Sequence, residues 1–259
     1  MKQAILYVCH GSRLKEACQE ACQFIDKVKP FAGAPIQITT FLELSPPTIE
    51  EGFKQCVEKG ATHIAVVPLL LLTAVHAKKD IPKEILSCME NYPGIHVTYG
   101  RPIGVHPLIP EVVIDRINER IQATPDGKVV LIGRGSSDPA VKKDLQEIAA
   151  FVQKKSFFPE VNVCFLTAAK PSFHEMLEVL KMETKPVYLV PYLLFTGLLM
   201  KDIEKEVRAI NEVKDNLFLT NYIGFHPHLE KIFLDRVNET VLNEDQQFSF
   251  RKEEINCSH

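Results

Sequence analysis

The sequence predicts an α/β protein made of two similar lobes, each a four-stranded parallel sheet flanked by helices. Short apolar runs rich in β-branched residues alternate with segments of helical period, which is typical of βα units around a parallel sheet. The chain also repeats itself at an offset of about 120 residues. Its 259 residues are about 1.7 times the length of an ordinary domain, which suits one large domain or two small ones.

The repeat runs through the whole length of each half. Three pairs of segments carry it: ILYVCHGS (5–12) with VVLIGRGS (129–136), HIAVVPLLLLTAVHAKKDI (63–81) with PVYLVPYLLFTGLLMKDI (186–203), and GVHPLIPEVVIDRINE (104–119) with GFHPHLEKIFLDRVNE (224–239). The repeat predicts an N-terminal lobe with the active site over 1–123, a C-terminal lobe over 124–241 and a peripheral tail over 242–259.

The elements follow in order along each half. Strands are predicted near 3–9, 36–41, 62–68 and 95–100 and then near 128–133, 161–166, 186–191 and 217–222, with helices between them. In the first helix, one apolar face is predicted to contain Leu14, Cys18, Ala21, Cys22, Ile25 and Val28, which makes Cys18 and Cys22 core residues.

The helix after the second strand carries clear boundary signals. Ser45 is its predicted N-cap, Pro46 its first residue and Gly60 its end. Its predicted apolar face consists of Ile49, Phe53, Cys56 and Val57.

Net charge and hydropathy limit the classes of partner and the cellular location that we expect for this chain. The net charge is −3 and no run of five basic residues occurs, so we expect no nucleic-acid or membrane-surface partner. The longest apolar stretch, 64–75, is well short of the roughly 20 residues that span a bilayer. The N-terminal segment fits a strand better than a signal peptide, and the seven cysteines form no CxxC pair, so we expect a cytoplasmic protein with reduced thiols.

The repeat serves as an internal control for function. A residue present in both copies is interpreted as structural, so His106 and His226, each before a proline at a helix start, are predicted to cap or pack. A polar residue in one copy only is a candidate for chemistry. His10, Glu43 and His76 meet this criterion, because Arg134, Thr167 and Leu199 stand at the matching positions.

These three residues follow the first three strands of the first half. Because ligands of open parallel sheets bind outside the carboxyl ends of the strands, we expect the three side chains to converge on one edge. Two imidazoles and a carboxylate suit a borderline divalent metal such as Fe, Co, Ni or Zn, and they also suit general bases near neutral pH. The competing interpretation is that each is a structural residue at a strand end.

Apolar stretches at 69–75 and 192–199 lie where loops are expected. They either line a pocket for a large flat apolar ligand or pack the two halves together, and both interpretations remain open. Five basic residues are predicted near the same edge and would receive carboxylates of such a ligand: Arg13, Lys78, Lys79, Arg134 and Lys201. Ser12 is a further candidate contact in the first loop.

Four segments together, VCHGSR, FLELSPPT, VVPLLLLTAVHAKKDIP and GRPIGVHP, resemble the class II tetrapyrrole chelatases of the CbiX-like group, most closely its sirohydrochlorin ferrochelatases of the SirB type. The resemblance covers about 240 residues. It implies two α/β lobes with a cleft between them and insertion of Fe2+ into sirohydrochlorin, with loss of two protons, to form siroheme. It maps the two active-site histidines, which hold the metal, onto His10 and His76, and a nearby acidic residue onto Glu43.

The resemblance also implies that the divalent metal is a substrate, with no tightly bound cofactor. Under this hypothesis His10 and His76 hold the metal and take the two inner N–H protons of a bent macrocycle, while Glu43 orients one imidazole or neutralises charge. Cobalt or nickel insertion is the alternative, but the chain ends in NCSH rather than in the long extension of some cobalt enzymes, which favours iron.

Two other classes compete with a chelatase. His10-Gly11 is shared with phosphohistidine enzymes, but Cys9 stands where those enzymes have arginine. A protein that only binds or carries a metal or tetrapyrrole would keep the same site without turnover. Because one chain supplies both lobes, we expect a monomer.

Overall fold

The computed structural model describes residues 1–119 and 123–242, and it confirms the two predicted four-stranded parallel sheets. The first sheet has the strand order β2-β1-β3-β4 and contains β1 (Gln3–Cys9), β2 (Ile36–Phe41), β3 (His63–Leu69) and β4 (His96–Tyr99). The second sheet has the order β6-β5-β7-β8 and contains β5 (Lys128–Gly133), β6 (Glu160–Phe165), β7 (Val187–Tyr192) and β8 (Leu217–Leu219). All paired strands are parallel.

Helices connect the strands, as the alternating pattern predicts. Their bounds are α1 (Lys15–Val28), α2 (Ile49–Glu58), α3 (Ile81–Asn91), α4 (Ile109–Asn118), α5 (Pro139–Lys155), α6 (Phe173–Leu180), α7 (Leu198–Asn211) and α8 (Pro227–Leu242). A single π-helical turn, His76–Asp80, precedes α3 directly. None of the helices in the described ranges combines the length and the apolar character that crossing a membrane requires.

The first sheet is covered on both faces, which explains its continuous apolar strands. Leu6 and Val8 pack in one core cluster with residues of α2 and α3. Tyr7 points to the opposite face, where its ring lies 6.1 Å from that of Phe233 in α8, and Phe233 lies 5.7 Å from Phe24 in α1. Strand β1 is therefore buried from Ala4 to Cys9. Its buried end anchors the loop that begins at residue 10.

The compact units do not coincide with the two sequence repeats. One unit contains residues 1–104 and the chain from Glu230, and the other is Val105–Leu229. Helix α4, the last helix of the first repeat, thus belongs with the second sheet, where it packs on α5 and β7. Most of α8, the last helix of the second repeat, belongs with the first sheet. The predicted division at 123/124 follows the repeat, whereas the folded units exchange these helices.

The repeated Asp-Arg-x-Asn-Glu motif lies on the exchanged helices. Arg236, which is 2% exposed, donates hydrogen bonds to the carbonyl oxygens of Pro102 and Ile103 at 2.8–3.2 Å. Arg116 holds the matching loop of the other unit by donating to the carbonyl oxygen of Gly224. The motif therefore closes the loop after the last strand of the sheet on which each helix packs.

Two local predictions were wrong. Helix α2 begins at Ile49 rather than at Pro46, and its N-cap is Thr48, whose hydroxyl accepts from the backbone N–H of Glu51 at 3.2 Å. Two consecutive prolines explain the later start, because the residue before a proline is disfavoured in the α region. Ser45 instead donates to a backbone carbonyl in the loop after β1.

The predicted buried face of α1 is also shifted. Its buried residues are Ala17, Ala21, Phe24, Ile25 and Val28. Cys18 and Cys22 flank this face and are half-buried, so they border the core rather than fill it. The predicted tail lies, from residue 243 onwards, outside the described residues.

Candidate active site

The three residues that differ between the repeats lie at the carboxyl edge of the first sheet. His10 follows β1 directly, Glu43 comes two residues after β2, and His76 begins the π-helical turn beyond β3. All three belong to the same compact unit. Strands β2, β1 and β3 are neighbours in the sheet, which is why residues 66 positions apart in sequence reach one place.

The imidazoles of His10 and His76 lie against each other. Their ring centroids are 4.6 Å apart and the rings are nearly perpendicular, at 85°. Both side chains are about one quarter to one third exposed, 24% for His10 and 33% for His76. The prediction that these two histidines converge is therefore confirmed, and both side chains are partly accessible.

Glu43 contacts His10 rather than His76. Its Oε1 lies 3.5 Å from Nδ1 of His10, and the same nitrogen lies 3.2 Å from the carbonyl oxygen of Gly11. A carboxylate oxygen and a backbone carbonyl oxygen both accept hydrogen bonds. In neutral His10 the proton is therefore favoured on Nδ1, and Nε2 keeps the lone pair that a metal ion needs.

Gly11 brings the first two loops close together. Its φ is +94°, in the left-handed region, and a Cβ there would lie 1.8 Å from the carbonyl oxygen of Glu43. The backbone N–H of Glu43 donates to the carbonyl oxygen of His10 at 3.1 Å. Only glycine permits this approach without strain. In the segment VCHGS, Gly11 therefore meets a backbone requirement, and His10 supplies the imidazole.

The second repeat has the same backbone contacts in this loop but lacks the imidazole and the carboxylate. Gly135 has a φ of +90°, and a Cβ there would lie 1.8 Å from the carbonyl oxygen of Thr167. Thr167 in turn donates from its backbone N–H to the carbonyl oxygen of Arg134 at 2.9 Å. The loop geometry is thus a property of the fold, whereas the imidazole and the carboxylate belong to the first repeat alone.

Asp80 is a site residue that the sequence reasoning missed. Its Oδ2 lies 2.7 Å from Nδ1 of His76, closer than Oε1 of Glu43 lies to Nδ1 of His10. Asp202 matches Asp80 in the second repeat, and presence in both copies marked it as structural. The usable signal was the spacing His76-x-x-x-Asp80, since residues four apart share one helix face.

The predicted macrocycle contacts occupy different settings. Ser12 serves in a turn, where its hydroxyl accepts from the N–H of Leu14 at 3.1 Å. Arg13 and Lys78 are exposed in the loop after β1 and in the π-helical turn, within the same unit as the histidines. Arg134 is exposed after β5 in the other unit, at the position that matches His10. Their contact with substrate stays a prediction.

The histidines shared by both repeats, which were predicted to cap or pack, each bind the backbone near a helix start. Nδ1 of His106 accepts from the backbone N–H of Leu108, and Nδ1 of His226 accepts from that of His228, both at 3.2 Å. Cys9, next to His10, is buried, and burial raises the pKa of its thiol. Burial therefore favours the protonated thiol over the thiolate.

Within residues 1–119 and 123–242, no three side chains of His, Cys, Asp or Glu are grouped so as to enclose a metal ion. The edge instead offers the pair of imidazoles, each backed by a carboxylate. An ion held by two nitrogens keeps open coordination positions, which is what a site must have if it hands its metal to another ligand.

Comparison with known proteins agrees with this geometry. The family model CbiX matches residues 4–120 and again 128–240. The sirohydrochlorin ferrochelatase of Bacillus subtilis is 50% identical over 251 residues, which cover 96% of each chain. The sirohydrochlorin cobaltochelatase of Priestia megaterium is 37% identical over 250 residues, covering 93% of this chain and 81% of that one.

A solved structure, SirB from Bacillus subtilis with Fe3+, has a TM-score of 0.90 at 50% identity and covers 96% of this chain and 99% of its own. Fold, repeat and sequence similarity therefore agree over almost the whole length. The chain belongs to the CbiX family and carries the family's fold twice.

Proposed function

We propose that this chain inserts Fe2+ into sirohydrochlorin, with loss of two protons, to form siroheme, and so acts as a lyase of the metal-chelatase type. The observation that carries the proposal is the pair of imidazoles of His10 and His76, with ring centroids 4.6 Å apart, at the carboxyl edge of the first sheet. The similarity to ferrochelatases supports the identity of metal and macrocycle.

The first task of the site is to hold Fe2+ loosely. Imidazole nitrogens suit a borderline divalent ion, and Nε2 of each ring is the atom left for the metal by the contacts at Nδ1. Because two nitrogens do not fill the coordination shell, pyrrole nitrogens of the macrocycle can replace water on the open side.

The second task is to receive protons. Sirohydrochlorin loses its two inner N–H protons as the iron enters, and an imidazole that releases the metal regains the lone pair with which it can accept a proton. Glu43 faces Nδ1 of His10 and Asp80 faces Nδ1 of His76. Each carboxylate would stabilise the imidazolium that forms, so one site both delivers iron and removes protons.

The surroundings suit a flat ligand with an apolar face and acidic substituents. Leu44, 55% exposed, follows Glu43, and Val75, 37% exposed, precedes His76. Both offer apolar surface beside the imidazoles. We propose that the exposed cations of Arg13 and Lys78, which belong to the same unit as the histidines, receive carboxylates of the macrocycle.

Iron is favoured over cobalt because the ferrochelatases of Bacillus subtilis and Priestia megaterium are 50% and 47% identical to this chain, against 37% for the cobaltochelatase. The proposal also includes a cytoplasmic, monomeric enzyme without nucleic-acid partners. The six cysteines within the described ranges are free, which supports a reducing compartment.

The test is anaerobic absorption spectroscopy of sirohydrochlorin with Fe2+ under multiple-turnover conditions. Wild type is compared with His10→Ala and His76→Ala, and His96→Ala is the matched control, because His96 is exposed at the opposite end of the same sheet. Loss of a base that is also a ligand should lower the rate at least about 100-fold in the first two variants, and His96→Ala should keep it.

Two outcomes would contradict the proposal. A stoichiometric spectral change without turnover would indicate a protein that only binds metal or tetrapyrrole. A turnover rate that is the same in His10→Ala, His76→Ala and wild type would mean that the chemistry occurs elsewhere.

A further inference from the structure

We propose that Asp80 is a positioning residue for His76, which fixes the imidazole so that Nε2 is presented to the metal ion. This inference rests on the proposed function in its choice of metal. It concerns a residue that is present in both repeats, unlike His10, Glu43 and His76.

The geometry of the pair is that of a carboxylate holding a metal-binding imidazole. Oδ2 of Asp80 lies 2.7 Å from Nδ1 of His76, and the two side chains are 45% and 33% exposed. A carboxylate oxygen can only accept, so Nδ1 carries the proton and Nε2 carries the lone pair. Partners of this kind set both the tautomer and the ring orientation of metal-ligating histidines.

A one-residue insertion creates this pair. His76 and Asp80 are four residues apart, whereas the matching Leu199 and Asp202 are three apart. In the first repeat the extra residue is absorbed in a π-helical turn, whose wide hydrogen bond joins the N–H of Ile81 to the carbonyl oxygen of His76. In the second repeat the same segment is ordinary helix within α7. Such single π turns are frequent at functional sites.

The insertion leaves the packing of the following helix intact. Ile81 comes directly after Asp80 and Ile203 directly after Asp202, and both isoleucines are fully buried in the cores of their units. The helix register downstream is therefore shared by the repeats. What the insertion changes is the direction of His76, which precedes the inserted residue. As a result, His76 lies over Asp80 at the edge of the sheet.

Asp80 does not act as an ordinary helix cap. It stands at the N-cap position of α3, but its side chain makes no capping hydrogen bond there. Its carboxylate is directed to His76 instead. Asp202 has Leu199, which has no hydrogen-bonding side chain, at the position that matches His76. The same acid therefore serves the imidazole in one repeat only, and Asp202 provides a matched control.

The carboxylate contacts of the two imidazoles differ in length. The contact of Asp80 with His76 is 2.7 Å, against 3.5 Å for Glu43 with His10. We therefore expect the Asp80 contact to orient His76 for capture of the ion. Loss of Asp80 should weaken metal capture without changing the affinity for the macrocycle.

The experiment titrates Co2+ into the full-length protein without sirohydrochlorin and follows the visible absorption of the bound ion. Asp80→Ala should weaken Co2+ binding by about 10-fold to 100-fold, which is the usual effect of removing such a partner. Asp80→Asn retains an oxygen that can accept from Nδ1, and it should recover binding to within about threefold of wild type. Asp202→Ala should bind like wild type.

Steady-state kinetics with Fe2+ and sirohydrochlorin provide the second readout. Asp80→Ala should raise KM for Fe2+ by a similar factor and leave KM for sirohydrochlorin unchanged. A merely structural role would alter both constants together. Thermal unfolding of Asp80→Ala and Asp202→Ala, measured alongside, should give melting temperatures within a few degrees of wild type, since neither substitution removes a capping bond that stabilises a helix end.

Three results would overturn the inference: wild-type Co2+ affinity in Asp80→Ala, an equal loss in Asp202→Ala, or no recovery in Asp80→Asn. If wild type does not turn over Fe2+ and sirohydrochlorin, the proposed function fails. The Co2+ titration needs no turnover, so it still decides the role of Asp80.

Discussion

His10 and Arg134 occupy matching places in the two repeats, each directly after a first strand and before a glycine with φ near +90°. The loops around them have the same backbone contacts, and only the side chains differ in chemistry. At the scale of single residues, the repeat therefore separates what the backbone requires from what the reaction requires.

Replacement of these glycines should separate stability from activity. Gly11→Ala and Gly135→Ala each place a Cβ 1.8 Å from a carbonyl oxygen in the left-handed region, so each should lower the free energy of unfolding by at least about 2 kcal/mol. Only Gly11→Ala should also lose turnover at temperatures where both variants are folded, because the oxygen it displaces belongs to Glu43. Equal activity of the two folded variants would contradict this.

His226 should make the protein less stable in mild acid. Burial lowers the pKa of His226 below its ordinary value of 6.5, and the nearby Arg116 cation adds to the effect. As the pH falls below 6.5, the unfolded chain takes up a proton that the folded chain does not. The free energy of unfolding should therefore fall with pH in this range and be unaffected by His226 above it.

His226→Asn tests this pH dependence. The amide oxygen of the variant can accept from the N–H of His228, as Nδ1 does, but it does not titrate. Between pH 6.5 and about 5, the slope of unfolding free energy against pH should be shallower by up to about 1.4 kcal/mol per pH unit, measured by urea denaturation. Carboxylates with lowered pKa values, such as Glu160 and Glu239, contribute only below their ordinary 4.5. An unchanged slope would contradict the assignment.

At the scale of elements, the π-helical turn His76–Asp80 distinguishes the two repeats. The segment before α3 has one residue more than its counterpart in α7, and that residue lies at the site. The strand before it and the helix after it are common to both repeats. A local change of one residue is thus enough to convert a packing segment into one that orients an imidazole.

Deletion of Lys79 should convert the turn into ordinary helix, as in the second repeat. His76 would then lose its alignment with Asp80, and kcat/KM for Fe2+ should fall at least about tenfold. The melting temperature should stay within a few degrees, because α7 shows that the shorter segment is compatible with the fold. Lys79→Ala, which removes the charge but keeps the length, should lose at most about threefold. Equal losses in both variants would indicate that charge, not length, matters.

At the scale of the whole molecule, each compact unit is completed by a helix of the other repeat. Lys27 of α1 pairs with Glu230 of α8 at 3.0 Å in one unit, and Lys155 of α5 pairs with Glu111 of α4 at 3.1 Å in the other. Such exposed pairs contribute little energy, but they mark which helices are neighbours. Neither repeat by itself contains all the helices of one unit.

One chain therefore supplies both copies of the fold, and we expect it to be a monomer. Static light scattering at low micromolar protein should give a mass near 29.3 kDa. A mass near twice that value would show that the chain needs a partner copy. The same measurement in the presence of Fe2+ would show whether the substrate ion changes the state of association.

The positions of the strands, and the edge of the sheet on which the site lies, follow from the amino-acid sequence alone. Buried parallel strands are apolar on both faces, so their positions are visible as continuous runs, and each predicted strand agrees with the structure to within three residues. Because carboxyl ends of parallel strands share one edge, the placement of His10, Glu43 and His76 followed from their positions after the first three strands. The difference between the repeats identified them without any structure.

Which helix covers which sheet, and how the imidazoles are held, depend on tertiary contacts. Both repeats offer nearly the same apolar helix and the same apolar sheet, so local pattern does not determine whether α4 packs on its own sheet or on the other. Asp80 was likewise not identified from the sequence, because it matches Asp202 in the second repeat. Its hydrogen bond with His76 depends on the π-helical turn. Long-range packing decides the exchange of helices α4 and α8 between the units. A one-residue change in helix geometry brings Asp80 to His76 and so completes the site.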